Sequence, residues 1–178
     1  ENARLFGETN RLLDETRQRA AEFEIISSVG RALAAQLDMQ AIYDVVGDAL
    51  LDVFDAQVVQ VASYDRETDL VRWRYNVEKG ERHYPAPNPA TGFSGHILLT
   101  GEPLLINRDV ERRAAEIGSS ILVGEMPKSY LGVPLLVGGE ARGVISLQNV
   151  DREDVFDASD VRLLTTLSSS MAVALENA

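Results

Sequence analysis

The chain has 178 residues, 45% of them hydrophobic, and sets 17 Lys plus Arg against 28 Asp plus Glu for a formal charge of −11. That length bounds it to about one domain with a core able to fold without staples, and the acidic balance excludes a general nucleic-acid surface, which needs a basic face. With no cysteine there is no disulfide framework, thiolate metal site, Cys nucleophile or thioether-linked chromophore, and no apolar run approaches the roughly 18 residues that span a bilayer.

The first forty residues predict one long helix, for nothing from Glu8 to Leu37 is proline and only Gly7 and Gly30 interrupt good helix formers. Leu5, Leu12, Ile26 and Leu33 fall on a seven-residue frame completed by Arg19, and Thr9, Thr16, Phe23, Gly30 and Leu37 lie four residues on. That is a heptad-like seam with polar interruptions. About thirty residues at 1.5 Å each give roughly 45 Å, longer than a compact domain of this size requires. The front half is therefore expected to project and pair with a second copy along Leu5, Leu12, Ile26 and Leu33. The other reading of the pattern is an amphipathic helix lying on its own domain.

Asp38 reads as an N-cap for a second helix, with Met39, Ile42, Val46, Ala49, Leu50 and Val53 forming its buried stripe. Val58 to Tyr64 is β-rich, and Leu70 to Glu78 alternates strictly. That alternation puts Val71, Trp73, Tyr75 and Val77 on one face, and Arg72, Arg74, Asn76 and Glu78 on the other. Lys79 to Ala90, with Pro85, Pro87 and Pro89, reads as loop. Gly92 to Thr100 predicts a short helix, Leu104 to Ile106 a brief strand, Arg112 to Ile117 another short helix, and Gly118 to Pro127 a mobile stretch. Tyr130 to Val137 and Gly143 to Val150 are apolar at successive positions, as in a central pair of strands covered on both faces. Asp157 caps a last helix striped by Val161, Leu164, Leu167, Met171 and Leu175.

This order implies an α+β domain: an antiparallel sheet of five or six strands, with the long N- and C-terminal helices on one face. Short helices and loops from Lys79 to Pro127 must cover the other face, and a layer built of loops leaves a ligand pocket.

Three segments resemble the GAF domain family of small-molecule sensing modules. They are Gly92-Phe93-Ser94-Gly95-His96-Ile97 with Thr100-Gly101-Glu102-Pro103-Leu104, then Ser129-Tyr130-Leu131-Gly132-Val133-Pro134-Leu135 with Gly143-Val144-Ile145-Ser146-Leu147, and Phe156 to Asp160 leading into the closing helix. The resemblance covers residues 22–178 and leaves 1–21 as a signalling helix. Both ends of the chain read Glu-Asn-Ala, so residues 1–13 look like the exit helix of a preceding module running on into this one.

The resemblance implies a non-catalytic sensory and dimerising domain of a cytoplasmic, bacterial-type signalling protein such as a histidine kinase or cyclase. Its partners would be an unidentified small molecule, a second copy and adjacent domains of the same polypeptide, with neither nucleic acid nor membrane insertion. The alternative is a ligand-free domain serving only as a dimerisation spacer. Relatives that reduce methionine sulfoxide or attach a bilin covalently rely on cysteines, which are absent. Haem would need His83 or His96, the only two histidines, and no second ligand stands out, so the cofactor is unknown. Neither histidine neighbours a serine in a nucleophile-elbow pattern, and no phosphate-cradling GxxxxGK[ST] occurs. Cyclic-nucleotide-binding relatives carry an Asn-Lys-Phe-Asp-Glu signature. Asn149, Phe156 and Asp160 match it, while Val150 and Val161 replace its Lys and Glu. The indicated pocket residues are Trp73, Tyr75, Phe93, Ser94, His96, Asn107, Arg108 and Tyr130: aromatic walls with a few polar tips, and Arg108 available to pair with an anionic group.

Overall fold

The computed structural model describes residues 1–36, 38–119 and 125–178. Among these, the order is α1 (Asn2–Ala34), α2 (Met39–Val53), β1 (Val58–Asp65), β2 (Leu70–Glu78), β3 (Glu81–Arg82), β4 (Asn88–Pro89), α3 (Gly92–Thr100), β5 (Leu104–Ile106), α4 (Val110–Ile117), β6 (Ser129–Val137), β7 (Glu140–Asn149) and α5 (Ala158–Asn177). The seven strands form one antiparallel sheet, ordered β3-β2-β1-β7-β6-β5, with β4 also on β2. The α+β class and the order of the helices and main strands follow the sequence reading, with seven strands in place of five or six. Two predicted features fall partly outside the described residues: Leu37, read as the end of the first helix, and 120–124 within the stretch read as mobile.

The extra strands lie in the proline-rich segment read as loop. β3 pairs Val77 with Arg82 and Glu78 with Glu81, and β4 pairs Leu70 with Pro89 and Val71 with Asn88. Proline is tolerated at a sheet edge because its missing N–H is not needed there, and two short stitches cover the outer edge of β2.

A β-bulge corrects the predicted facing of β2. Val61 of β1 pairs with Tyr75, but the next residue, Ala62, pairs with Trp73, so Arg74 is extra. Beyond it the alternation inverts. Trp73 and Val71 take one face, while Tyr75 and Val77 enter the core on the other.

That core lies between the sheet and α1, α2 and α5. Val59, Val61, Tyr75, Val77, Leu131, Val133, Leu135, Ile145 and Leu147 from the strands meet Ile42, Val46 and Leu50 of α2 and Leu163, Leu164, Leu167 and Met171 of α5. Both of these helices begin on the expected aspartates. Asp38 accepts a bond from the Ala41 N–H, and Asp157 forms a reciprocal capping box with Asp160. Gly47 of α2 carries the close approach of Tyr75, since a Cβ there would overlap the phenol ring. On the opposite face Ile97, Leu104, Ile106, Val110, Tyr130 and Val144 form a smaller cluster.

The predicted seam of α1 divides between two environments. Leu33 is buried and Ile26 rests against the main core, so this half lies on its own domain. Residues 1–21 are exposed throughout, with Leu5 at 53% and Leu12 at 49%. Gln18 marks the changeover, its Nε2 donating to Ser159 Oγ at 3.2 Å in the first turn of α5. No helix among the described residues is long and apolar enough to cross a membrane.

Candidate functional site

The cavity lies on the sheet face away from α1, α2 and α5. Its floor is β2, β1, β7 and β6, and its roof is the first turn of α3. Its sides come from Pro85 and Asn88, from Ala114 and Ser119, and from Glu125 to Pro127. It is partly open and offers about 130 Å³, close to the roughly 150 Å³ of cavities that admit benzene. One ring with small substituents fits.

Local sequence explains why the space is there. Over β6, α3 sits directly on Gly132, where a Cβ would come within 2.5 Å of Ile97 Cδ1 and 2.7 Å of the Tyr130 hydroxyl. That end is filled. Toward β1 and β2 the cover is only the helix's first turn and the loops. Gly92 opens this turn at φ +63°, and a Cβ there would lie 2.6 Å from Ser119 Oγ. A side chain at position 92 would be strained and would push Ser119 away.

The floor is polar at its centre. Gln60 Nε2 donates to Asn76 Oδ1 at 3.0 Å, and Gln60 Oε1 accepts from Gln148 Nε2 at 3.0 Å and from Ser146 Oγ at 3.2 Å. Asn76 is 6% exposed and Ser146 3%. Buried amides cost stability unless bonded, and these are bonded to one another. The Tyr130 hydroxyl adjoins Ser146, and burial pushes its phenol well above the ordinary range.

The walls are aromatic. Trp73 is pinned by its indole N–H, which donates to Asn88 Oδ1 at 2.7 Å, and the Phe93 ring tilts against Tyr130 with centroids 4.6 Å apart. Two carboxylates line the cavity. Glu125 is paired with Lys79 Nζ at 2.8 Å, and that pairing raises the lysine's pKa. Glu78 has no ion-pair partner among the described residues. No Lys, Arg or His is among the described lining residues.

Of the predicted pocket residues, Trp73, Phe93, Ser94 and Tyr130 are brought together here, and the other four are not. Tyr75 faces the helices because of the bulge. Its hydroxyl donates to Asp48 Oδ1 at 2.8 Å, Arg82 lies 4.5 Å over its ring, and burial, followed by the Asp48 bond, pushes its pKa up to about 12. His96 is half-buried in α3 outside the lining, and His83 is likewise absent from it. Asn107 is a latch: its Nδ2 donates to the Phe156 carbonyl at 2.6 Å, and its Oδ1 accepts from the Phe156 N–H at 3.3 Å. Arg108 is a surface residue whose Nε donates to Asp154 at 2.8 Å, holding that carboxyl below its usual range.

The partial nucleotide signature is also structural. Asn149 Oδ1 accepts from the N–H groups of Asp151 and Arg152, Phe156 is core, and Asp160 completes the cap of α5. Among the described residues, no group of three His, Cys, Asp or Glu could hold a metal ion.

Sequence reasoning missed the floor itself, Gln60, Asn76, Ser146 and Gln148. The usable signal was polar side chains at alternate positions of otherwise apolar strands, Val59-Gln60-Val61 and Ile145-Ser146-Leu147-Gln148.

The fold recurs in solved structures. The chain is similar to the GAF domain of an Acinetobacter phosphoenolpyruvate-protein phosphotransferase, at 15% identity over 88% of this chain and 93% of that one, with a TM-score of 0.71. It is similar to residues 122 to 287 of a methyl-accepting chemotaxis protein, at 16% identity over 83% and 94%, TM-score 0.72. It is also similar to the free methionine-R-sulfoxide reductase of Neisseria meningitidis in complex with its substrate, at 18% identity over 90% and 91%, TM-score 0.71. Comparison with curated proteins gives no match. The sequence profile described as the GAF domain matches residues 36–176, a span that runs from the end of α1 to the end of α5 and takes in the whole sheet and its cavity, so the chain belongs to the GAF domain family.

Proposed function

We propose that this GAF domain is a non-catalytic sensory module that takes a small molecule into the cavity beneath α3 and passes its bound state to adjacent domains through α1 and α5. The observation that supports this is the half-open cavity with a polar floor between aromatic walls, the usual composition of a small-molecule site. The described lining offers no nucleophile paired with a base. Reducing a sulfoxide, as one structural neighbour does, takes two electrons, and this chain has no thiol to supply them.

Transmission has a route. Asn107 and Arg108, just after β5, are bonded to Phe156 and Asp154 in the segment that leads into α5. A ligand preferring one packing of α3 and β5 would bias α5, and α1 beside it. The exposed Leu5, Phe6, Leu12 and Leu13 of α1 support pairing with a second copy, the seam now confined to the front of the helix.

A thermal-shift screen of the domain against a metabolite library, cyclic nucleotides included, tests the sensory reading. Saturation at 100 times the dissociation constant adds about 2.7 kcal/mol, and Trp73→Ala is expected to abolish the response. A library that leaves the melting temperature unmoved would favour the spacer. Leu12→Asp is expected to convert a sedimenting dimer to monomer, and an unchanged profile removes the seam.

A further inference from the structure

We propose that the cavity's ligand is an uncharged, planar single-ring lactam or imide, such as a pyrimidinone, lying across β1 with a hydrogen-bond donor on one edge and an acceptor on the opposite edge. This rests on the reading of the cavity as a ligand site.

The argument begins with the three carboxamides. Asn76, Gln60 and Gln148 stand on adjacent strands and are bonded head to tail, amide N–H to amide carbonyl. Such a chain has two free ends of opposite character. As placed, Asn76 Nδ2 is the free donor and Gln148 Oε1 the free acceptor. Exchanging oxygen and nitrogen in all three preserves every internal bond and only swaps the ends. Whichever way round the amides stand, one end of the chain is an unbonded NH2 group and the other an unbonded carbonyl oxygen.

The ends sit on β2 and β7, on either side of β1, so two strand spacings, about 10 Å, separate their backbones. A six-membered ring with polar groups on opposed edges, plus one hydrogen bond of about 2.9 Å at each side, spans about that distance. The aromatic walls Trp73 and Phe93 suit a flat ligand. The roof adds donors. Thr91, at the N-cap of α3, makes no side-chain cap bond, and first-turn N–H groups have no intrahelical partner, so a ring carbonyl can be met from above as well.

Charge narrows the class further. A phosphate or carboxylate would enter a described lining that contains the unpaired Glu78 and no Lys, Arg or His, with a like charge opposing it. Arg108, the cation the sequence suggested for this duty, is committed to Asp154 outside the cavity. An ammonium would meet carboxylates only at Glu78 and at the already paired Glu125. Only Glu78, at the end of β2, is free to compensate it, and over the floor of neutral amides the charge would have no partner.

The test is calorimetric titration of the wild-type domain with uracil, thymine and 4-pyridone as uncharged probes, orotate and uridine monophosphate as anions, and benzylammonium as the cation. Only the uncharged probes are expected to bind. Gln60→Leu, which breaks the chain at its middle, is expected to weaken them at least about tenfold, and Gln148→Met serves as a second break should the first variant fail to fold. Uracil binding unaffected by either substitution would overturn the proposal. So would binding of orotate, the monophosphate or benzylammonium in preference to uracil; if Trp73→Ala abolishes that binding, the cavity remains a ligand site and only the class is wrong. Silence from all the uncharged probes would also overturn the proposal, and silence from the metabolite library as well would remove the reading of the cavity as a ligand site.

Discussion

Gln60 lies between Val59 and Val61, and Gln148 follows Leu147, yet these neighbours face opposite problems. Val59, Val61 and Leu147, with Tyr75, Val77, Leu131 and Ile145, form a continuous apolar surface against three helices. The alternate residues of the same strands, Gln60, Asn76 and Gln148, put amides under a cavity roofed by one helical turn and loops. Exchanging both members of a buried hydrogen-bonded pair for apolar groups of matching shape is nearly neutral or stabilising, so the amide chain does little to hold the sheet together. The helix face supplies the stability and the cavity face supplies recognition.

The largest expected effect lies on the helix face. Leu147→Ala, at a fully buried position in the second half of β7, should cost about 2–5 kcal/mol, read as a lower urea midpoint with an unchanged slope. A cost below about 1 kcal/mol would mean that this face relaxes around a missing side chain and the contrast is weaker than drawn. Gly47→Ala comes next. The new methyl would overlap the Tyr75 ring, for an expected loss of about 1–3 kcal/mol. Repeating Gly47→Ala in a Tyr75→Ala background separates the two effects. With the ring gone, alanine should become neutral or favourable in mid-helix, where glycine costs about 0.5–1 kcal/mol. A penalty that persists would locate the strain elsewhere.

That pair shows what the sequence could convey and what it could not. α2, α5 and β2 were legible because their apolar residues recur at the helix or strand period, and the central strands because they are continuous apolar runs joined by a glycine turn. The facing of Tyr75 was not. Val71 to Val77 alternates perfectly, and the extra residue at Arg74 leaves no local trace. What accommodates the inverted face is tertiary, a glycine on α2 at the one place where a phenol ring must lie flat. The site was half legible for a similar reason. Aromatic residues in the pocket helix and on the strands announce a wall, whereas a glutamine at an alternate strand position reads equally as solvent-facing until something is known to cover it. Likewise Leu5, Leu12, Ile26 and Leu33 share one heptad frame, and only the packing of α1 along α5 divides them into exposed and buried halves.

Tyr75 also carries a smaller, pH-dependent effect. Its phenol is raised from the ordinary 10.0 to about 12, by burial first and by the Asp48 bond second. The folded state therefore favours the protonated form. The stabilisation is fully present below pH 10 and is lost as pH rises through about 12. Tyr43 and Tyr130 are raised by burial in the same direction. Urea midpoints should thus fall steeply above pH 10. Tyr75→Phe should cost about 1 kcal/mol at pH 8 by removing the bond to Asp48, and the cost should shrink by pH 11. A cost that grows with pH would mean that the phenol is ionised in the folded protein.

The smallest expected change is the one that bears most directly on the contrast between the faces. Gln60→Leu is close to its parent in size, and of the partners it would abandon, Asn76 and Gln148 border space that water can enter, while Ser146 keeps the Tyr130 hydroxyl beside it. The freed amides can be resolvated, which limits the penalty for leaving them unpaired. The added apolar surface partly offsets what remains, and the net change in unfolding free energy should stay within about 1 kcal/mol. Substituting the adjacent Val61, which is fully buried on the helix face, by the similarly sized but polar Thr introduces an unpaired hydroxyl against an apolar core and should cost about 1–3 kcal/mol. One residue along a single strand therefore separates a change in polarity that the fold absorbs from one that it does not. If both substitutions cost the same, the amides of the cavity face are structural after all, and the sheet has two load-carrying surfaces instead of one.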